Sequence, residues 1–215
     1  MRVALFPLST VLFPQGVLPL RVFEARYLDM VRDCMREGTV FGVCLISDPR
    51  ASEVSRTTSL ADVGCLARID AWDMKQLGLL HIRAVGQQRF RLLEKEMQAD
   101  GLMLGEVELI DPDDDAPVPP EHRPCVDLLS RILDDLRAQL VERQASEESA
   151  EQNDVLSQLP FAEPYHMDSS AWVSNRLCEV LPVPLKAKQK LMELTDAPTR
   201  LQIVHTYLKQ HSVLT

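Results

Sequence analysis

The sequence predicts an α+β protein: about six short strands forming a closed or partly closed barrel with one early helix, then an all-α second half. Three observations predict it. Between Thr39 and Leu109 apolar residues recur with period two in short runs separated by turn residues. One stretch of helical period, Phe23 to Cys34, precedes these runs. An acidic, proline-rich segment at Asp111–Pro120 then separates them from a half whose apolar period is helical throughout.

The chain is organised around Phe6–Tyr27, FPLSTVLFPQGVLPLRVFEARY. Pro7, Pro14 and Pro19 lack amide protons and fix φ, so this stretch is neither one long helix nor one central strand. It reads as short extended pieces joined by turns, with Gln15-Gly16 after Pro14 as the tight bend. Past Pro19, Phe23, Tyr27, Met30, Val31 and Cys34 fall at helical spacing, predicting a helix that ends near Gly38. Thr39–Ile46 is apolar on both alternation faces, as suits a strand buried on two sides, with Gly42 allowing close approach or a bulge. Asp48–Ser59 is polar and serine-rich, a surface loop.

Val63, Cys65, Ala67, Ile69 and Ala71 then share one face with Arg68 and Asp70 on the other, the clearest period-two signal in the chain. A polar turn is expected around Asp73–Gly78. Leu80, Ile82 and Ala84 alternate with His81 and Arg83, Gly86 interrupts, and Arg89–Leu92 resumes. A glycine between two strand runs marks a bulge or sharp bend. Ala99-Asp100-Gly101 is a turn signal, and Met103, Val107 and Leu109 share one face of a last strand opposite Glu106 and Glu108.

Asp111–Pro120, DPDDDAPVPP, reads as a linker because its aspartates repel one another and its prolines stiffen the backbone. It lacks the spaced ligands, central glycine and closing glutamate of a calcium loop. The expected organisation is a barrel over 1–112, a linker over 113–121 and a helical part over 122–215. In that last part Val126, Leu129, Leu133, Leu136 and Leu140 form one long amphipathic helix. Its stripe lasts about two heptads, short of the three or four that argue for a coiled coil, so internal packing is expected. Ser146–Asp154 is a solvated helix end or loop. Asp168-Ser169-Ser170 caps a helix carrying Trp172, Val173, Leu177, Val180 and Leu181, which Pro182 and Pro184 end. Leu185–Leu194 forms another, and Asp196 with Pro198 opens a last one carrying Leu201, Val204 and Leu208.

The net charge of −9 disfavours a general nucleic-acid binder, whose phosphate contacts need a cationic face. Five widely spaced cysteines without a C-x-x-C read as buried reduced thiols of a cytosolic protein. Prolines interrupt the apolar N-terminus where a signal peptide would need a continuous core, and no stretch reaches the roughly 18 to 20 apolar residues that span a bilayer. A cytoplasmic location without membrane attachment is therefore expected.

Sequence motifs of catalysis are absent. There is no phosphate-binding loop, dinucleotide fingerprint, zinc-protease motif or nucleophile elbow. His81, His122, His166, His205 and His211 are scattered, the lysines sit in solvated settings, and the carboxylate pairs Glu94/Glu96 and Glu106/Glu108 lie on exposed strand faces. No enzyme, no cofactor and no metal site is expected.

Two sets of residues stand out. Leu12, Phe13, Val17 and Leu18, with Val11, are more apolar residues than a short arm easily buries on one side. Surplus apolar surface marks an interface, so they are candidates for peptide binding, with barrel closure as the alternative. Arg21, Glu24, Arg26 and Arg89 are a candidate ion-pair cluster in which Glu24 pairs with an arginine across the barrel and locks the arm. The other reading of the cluster is a display of guanidinium groups that also takes in Arg83 and Arg91.

The run FPLSTVLFPQGVLPLRVFEARYLDMV, followed by FGVCLI, DVGCLARI and VGQQRFRLL, resembles the N-terminal substrate-recognition domain of the ATP-dependent Lon protease family. WVSNRLCEVLPVPLKAKQKLMELTDAPTRL is similar to the helical part that follows in that family, so the resemblance covers nearly the whole chain. It implies a PUA-like β pseudo-barrel of about six strands with one helix, then a helical subdomain. It transfers no catalytic residue, because Lon's ATPase and protease domains come after this region. The expectation is a stand-alone, non-catalytic module whose partners are polypeptide clients or another protein, acting as an adaptor or holdase. An RNA-binding PUA-like module is the alternative, and weak self-association is left open.

Overall fold

The computed structural model describes residues 1–48, 54–146 and 159–214. Among these residues six strands, β1 (Arg2–Leu8), β2 (Val17–Val22), β3 (Phe41–Leu45), β4 (Val63–Gln76), β5 (Leu79–Met97) and β6 (Met103–Leu109), precede four of five α-helices. The helices are α1 (Ala25–Glu37), α2 (Arg123–Ser146), α3 (Ser170–Val180), α4 (Leu185–Glu193) and α5 (Ala197–Gln210). The mixed α+β class and the six strands agree with the expectation. Part of the loop expected at Asp48–Ser59, and nearly all of the polar segment at Ser146–Asp154, lies outside the described residues.

The strand order is β2-β5-β4-β3-β1-β6, with β5 pairing to β6 as well. The pairing therefore returns to its start: β5, β4, β3, β1 and β6 form a closed circuit. Among the strands described, only β1 and β3 pair in parallel. β4 takes one edge of β5 over Leu79–Arg91, while β2 and then β6 occupy the other edge end to end. A single 19-residue strand can serve three partners because its register shifts between Gly86 and Arg89, where the sequence signalled a bend. The polar stretch Asp73–Gln76 is not a turn. It prolongs β4 as the outer arm of the β4–β5 hairpin, leaving only Leu77-Gly78 to close it. Polarity there records solvation of an edge strand rather than a break in it.

Helix α1 matches its periodicity. It buries Tyr27, Met30, Val31 and Cys34 and ends on Gly38, whose φ of 65° is the left-handed cap conformation. Those side chains pack on Val22, Leu80, Ile82 and Ala84 inside the sheet. A second cluster, built on Leu5, Phe90, Met103 and Val107, fills the β6 side. Gly42 allows close approach, as expected: a Cβ there would collide with the Phe90 ring.

Helix α2 buries Val126, Leu129 and Leu133 and half-buries Leu136 and Leu140, so its stripe serves internal packing. Ser169 caps α3 by accepting from the Trp172 N–H at 3.0 Å, and Asp196 caps α5 through the Thr199 N–H at 2.8 Å. The core of the helical half contains Leu129, Trp172, Leu177, Met192, Leu201 and Val204, and it also takes Phe13 and Val63 from the strand half. The two halves share one apolar cluster.

Candidate functional site

The N-terminal arm is drawn inward. Gly16 donates to the Phe13 carbonyl at 3.0 Å with Gln15 at φ 61°, closing the tight bend expected after Pro14. The bend is zipped to β5 by Gln15 N–H to the Gly86 carbonyl and Gly86 N–H to the Gly16 carbonyl, both 2.8 Å. Glycine is required at 86, because a Cβ would strike the Phe13 carbonyl. Phe13 is fully buried in the core of the helical half, and Leu12 is buried among the strands beside α1. Val17 and Leu18 on β2 are half-buried. Of the four candidate contact residues, the first two thus face the interior and the last two keep partial exposure.

The candidate ion-pair set is divided. Glu24 pairs with Arg26 at 2.6 Å, two residues along the chain rather than across the sheet. Arg26 also donates to the Gly101 carbonyl at 2.8 Å, so it is Arg26 that ties the arm to the β5–β6 turn. Arg21 is exposed. Arg89 belongs to a different network: it donates from Nε to the Met192 carbonyl at 2.6 Å and pairs with Asp113, which also pairs with Arg200. All three side chains are nearly or fully buried. Burial pulls the Arg89 guanidinium below its usual pKa, and Asp113 offsets part of that.

The acidic segment 111–120 is therefore engaged at several points. Asp113 joins β5 to α5, and the Asp114 N–H donates to the Thr195 carbonyl. Asp115 accepts from the Ala171 N–H and the Ser169 hydroxyl at the start of α3. A second buried arginine clamps the arm. Arg176, fully buried on α3, donates to the Pro14 and Gln15 carbonyls and pairs with Glu179 at 2.9 Å. Burial pushes the Glu179 carboxyl up to about 7 against the opposing pull of Arg176 and Lys188.

Conventional reaction centres are not assembled by these contacts. Burial pushes the Cys44, Cys65 and Cys178 thiols up to about 12, which disfavours the thiolate. Among the described residues no group of three or more His, Cys, Asp and Glu side chains could hold a metal ion. No helix among them is long and apolar enough to cross a membrane.

One group of exposed apolar side chains lies elsewhere. Trp72 is 57% exposed, Met74 45% and Leu77 95%, all at the tip of the β4–β5 hairpin. Phe23, 67% exposed, follows Val22, which lies opposite Leu80 near the same hairpin turn. β3 pairs with β4 only over Cys65–Ala67, so the outer part of β4 is an edge paired to β5, whose other side carries β2 as far as Leu80. Arg83 and Asp70 pair on the hairpin, while Trp72, Met74 and Leu77 face solvent. The sequence signal for this site was the run WDMKQLG, three large apolar residues inside an otherwise polar turn signal.

Comparison with known proteins gives a concordant result. Residues 2–210 match the family model of the ATP-dependent protease La (LON) substrate-binding domain. A crystal structure of a Lon N-terminal domain protein from Xanthomonas campestris superposes with a TM-score of 0.71 at 33% identity, over 96% of this chain and 98% of that one. The N-terminal domain of a Mycobacterium avium complex Lon protease shares the fold, with a TM-score of 0.57 at 15% identity over 98% of this chain and all of that one. Cereblon from Gallus gallus is 30% identical over 102 residues, and cereblon from Danio rerio 31% over 106. Those matches cover 46% and 47% of this chain but only 21% and 23% of the cereblon chains.

Proposed function

The chain belongs to the Lon substrate-binding domain family, and from that premise we propose that it is a non-catalytic module recognising extended, apolar-rich polypeptide segments through the tip of its β4–β5 hairpin. One observation carries the reading: Trp72, Met74 and Leu77 stand in solvent on the outer part of a hairpin where Arg83 is already paired with Asp70. Isolated exposed apolar residues are ordinary, but three within six positions on one tip, with Phe23 at the same end, form the kind of surface that binding partners cover. Tryptophan and methionine suit such a role, since one supplies a large rigid contact and the other adapts to varied side chains. In the cell the module would act as an adaptor or a holdase. Five buried free thiols accord with a reducing, cytoplasmic setting.

The test is titration of the chain into a fluorescently labelled, permanently unfolded polypeptide, followed by anisotropy. Saturable binding in the micromolar range is expected, and its absence at tens of micromolar would overturn the proposal. The RNA-binding alternative needs Arg83, Arg89 and Arg91 as one exposed patch. It is disfavoured because Arg83 is paired with Asp70 and Arg89 is buried against Asp113, leaving Arg91 exposed without the other two.

A further inference from the structure

A cleft of about 740 Å³ opens where the two halves meet, within the size range of ligand pockets. Its walls come from the Pro14–Gln15 bend, the bent middle of β5, the acidic segment and the first turns of α3. Gln87 and Gln88 both line it, although consecutive residues of a regular strand point to opposite faces. The register shift between Gly86 and Arg89 is what permits this, and bulges re-aim side chains in this way beside functional sites.

The polar groups of the cleft divide unevenly into used and unused. Arg89 is taken up by Asp113 and the Met192 carbonyl, and Asp113 is shared between Arg89 and Arg200. Asp115 already accepts from the Ala116 and Ala171 N–H groups and the Ser169 hydroxyl. The Gln87 amide nitrogen donates to the Val85 and Gly86 carbonyls and that of Gln88 to the Ile110 carbonyl, which leaves both amide oxygens as acceptors. Asn175 is 4% exposed, lines the same cleft, and its Oδ1 has no hydrogen-bond partner. Asp111 is exposed in the same lining, and so is His166. A buried acceptor left unmatched is costly, and three amide oxygens with one carboxylate are matched by a donor-rich cation.

We propose that this cleft binds the guanidinium group of an arginine carried by a polypeptide, held by the amide oxygens of Gln87, Gln88 and Asn175 and by Asp111. Arginine offers five N–H donors in a planar fork, and Trp172 supplies an apolar wall for its stem. The site is separate from the hairpin tip, so it stands or falls independently of the apolar reading.

The chain has two tryptophans, so Trp72→Phe leaves Trp172 as the sole emission probe, at the cleft itself. The experiment titrates this variant with acetyl-Gly-Arg-Gly-amide, which carries no apolar side chain for the hairpin, and follows heat and Trp172 emission. Saturable binding is expected, weakened about tenfold when citrulline, a neutral isostere, replaces arginine. Gln88→Met, at a half-buried position, should weaken it at least about threefold with the fold intact by circular dichroism, and Asn175→Leu should abolish it. Equal affinity for the citrulline peptide, tighter binding of a Gly-Glu-Gly peptide, or no saturation at 10 mM (roughly the weakest affinity worth assigning to a site) would overturn the proposal. Ethylguanidinium binding as tightly as the peptide would overturn the polypeptide as carrier.

Discussion

Replacing Asp113 by asparagine removes one negative charge from between two buried guanidinium groups. The side chains of Arg89 and Arg200 are 2% and 0% exposed and that of Asp113 is 7% exposed, so water cannot take over the lost interaction. Breaking a buried ion pair by deleting one partner costs about 3–5 kcal/mol, since the remaining charge stays desolvated. Here two charges are stranded, and the asparagine amide group would present donors to donors. A loss near the upper end of that range is expected, a large share of the roughly 5–15 kcal/mol that stabilises an ordinary domain. The assay is equilibrium urea unfolding in a Trp72→Phe background, with Trp172 emission for the helical half and circular dichroism for the whole chain. Because Asp113 joins β5 to α5, both probes should shift to lower urea. Removing all three charges at once, as Arg89→Met, Asp113→Leu and Arg200→Met, should cost less than Asp113→Asn alone. A loss below about 1 kcal/mol for Asp113→Asn would refute the claim that this triad holds the halves together.

Phe13→Ala should destabilise the chain by about 3–5 kcal/mol in the same assay, because the ring is fully buried in the cluster shared by both halves. Leu18→Ala, at a half-buried strand position, should cost markedly less. Glu179 supplies a pH signature. Its folded-state pKa is raised to about 7 from 4.5, so its contribution is fully present below pH 4.5 and is lost as pH rises through 7. The loss amounts to about 3 kcal/mol, and the stability difference between the wild type and Glu179→Gln, measured from pH 4 to 8, should carry that whole dependence.

Local features of the sequence carried most of the fold. Helix α1 was legible because Tyr27, Met30, Val31 and Cys34 keep helical spacing and Gly38 supplies the left-handed cap. The first part of β4 was legible as a strand because Val63, Cys65 and Ala67 keep period two, but it is buried on both faces rather than half-buried, since Leu66 packs in the cluster on the β6 side. The outer part was not, since an edge strand rich in solvated polar residues has the composition of a turn, and Trp72 and Met74 stand on it with Leu77 just beyond. The junction was hidden for another reason. Asp113 meets Arg89 and Arg200 at separations of 24 and 87 residues, and no local rule tells an aspartate repelled by its neighbours from one neutralised by distant arginines. Phe13 belongs with it: its apolar surplus was visible in the arm, but the partner that absorbs it, the helical half, lies more than a hundred residues downstream.

Polypeptide recognition at the hairpin tip is tested most directly by comparing the wild-type chain with Trp72→Ser/Met74→Ser/Leu77→Ser in titrations against the labelled unfolded polypeptide. All three residues are exposed, so the variant should keep the wild-type urea midpoint to within about 0.5 kcal/mol of stability. Its affinity should fall at least about thirtyfold, since an interface tryptophan alone is commonly worth about 2 kcal/mol. Unchanged affinity in a variant that folds normally would contradict the account.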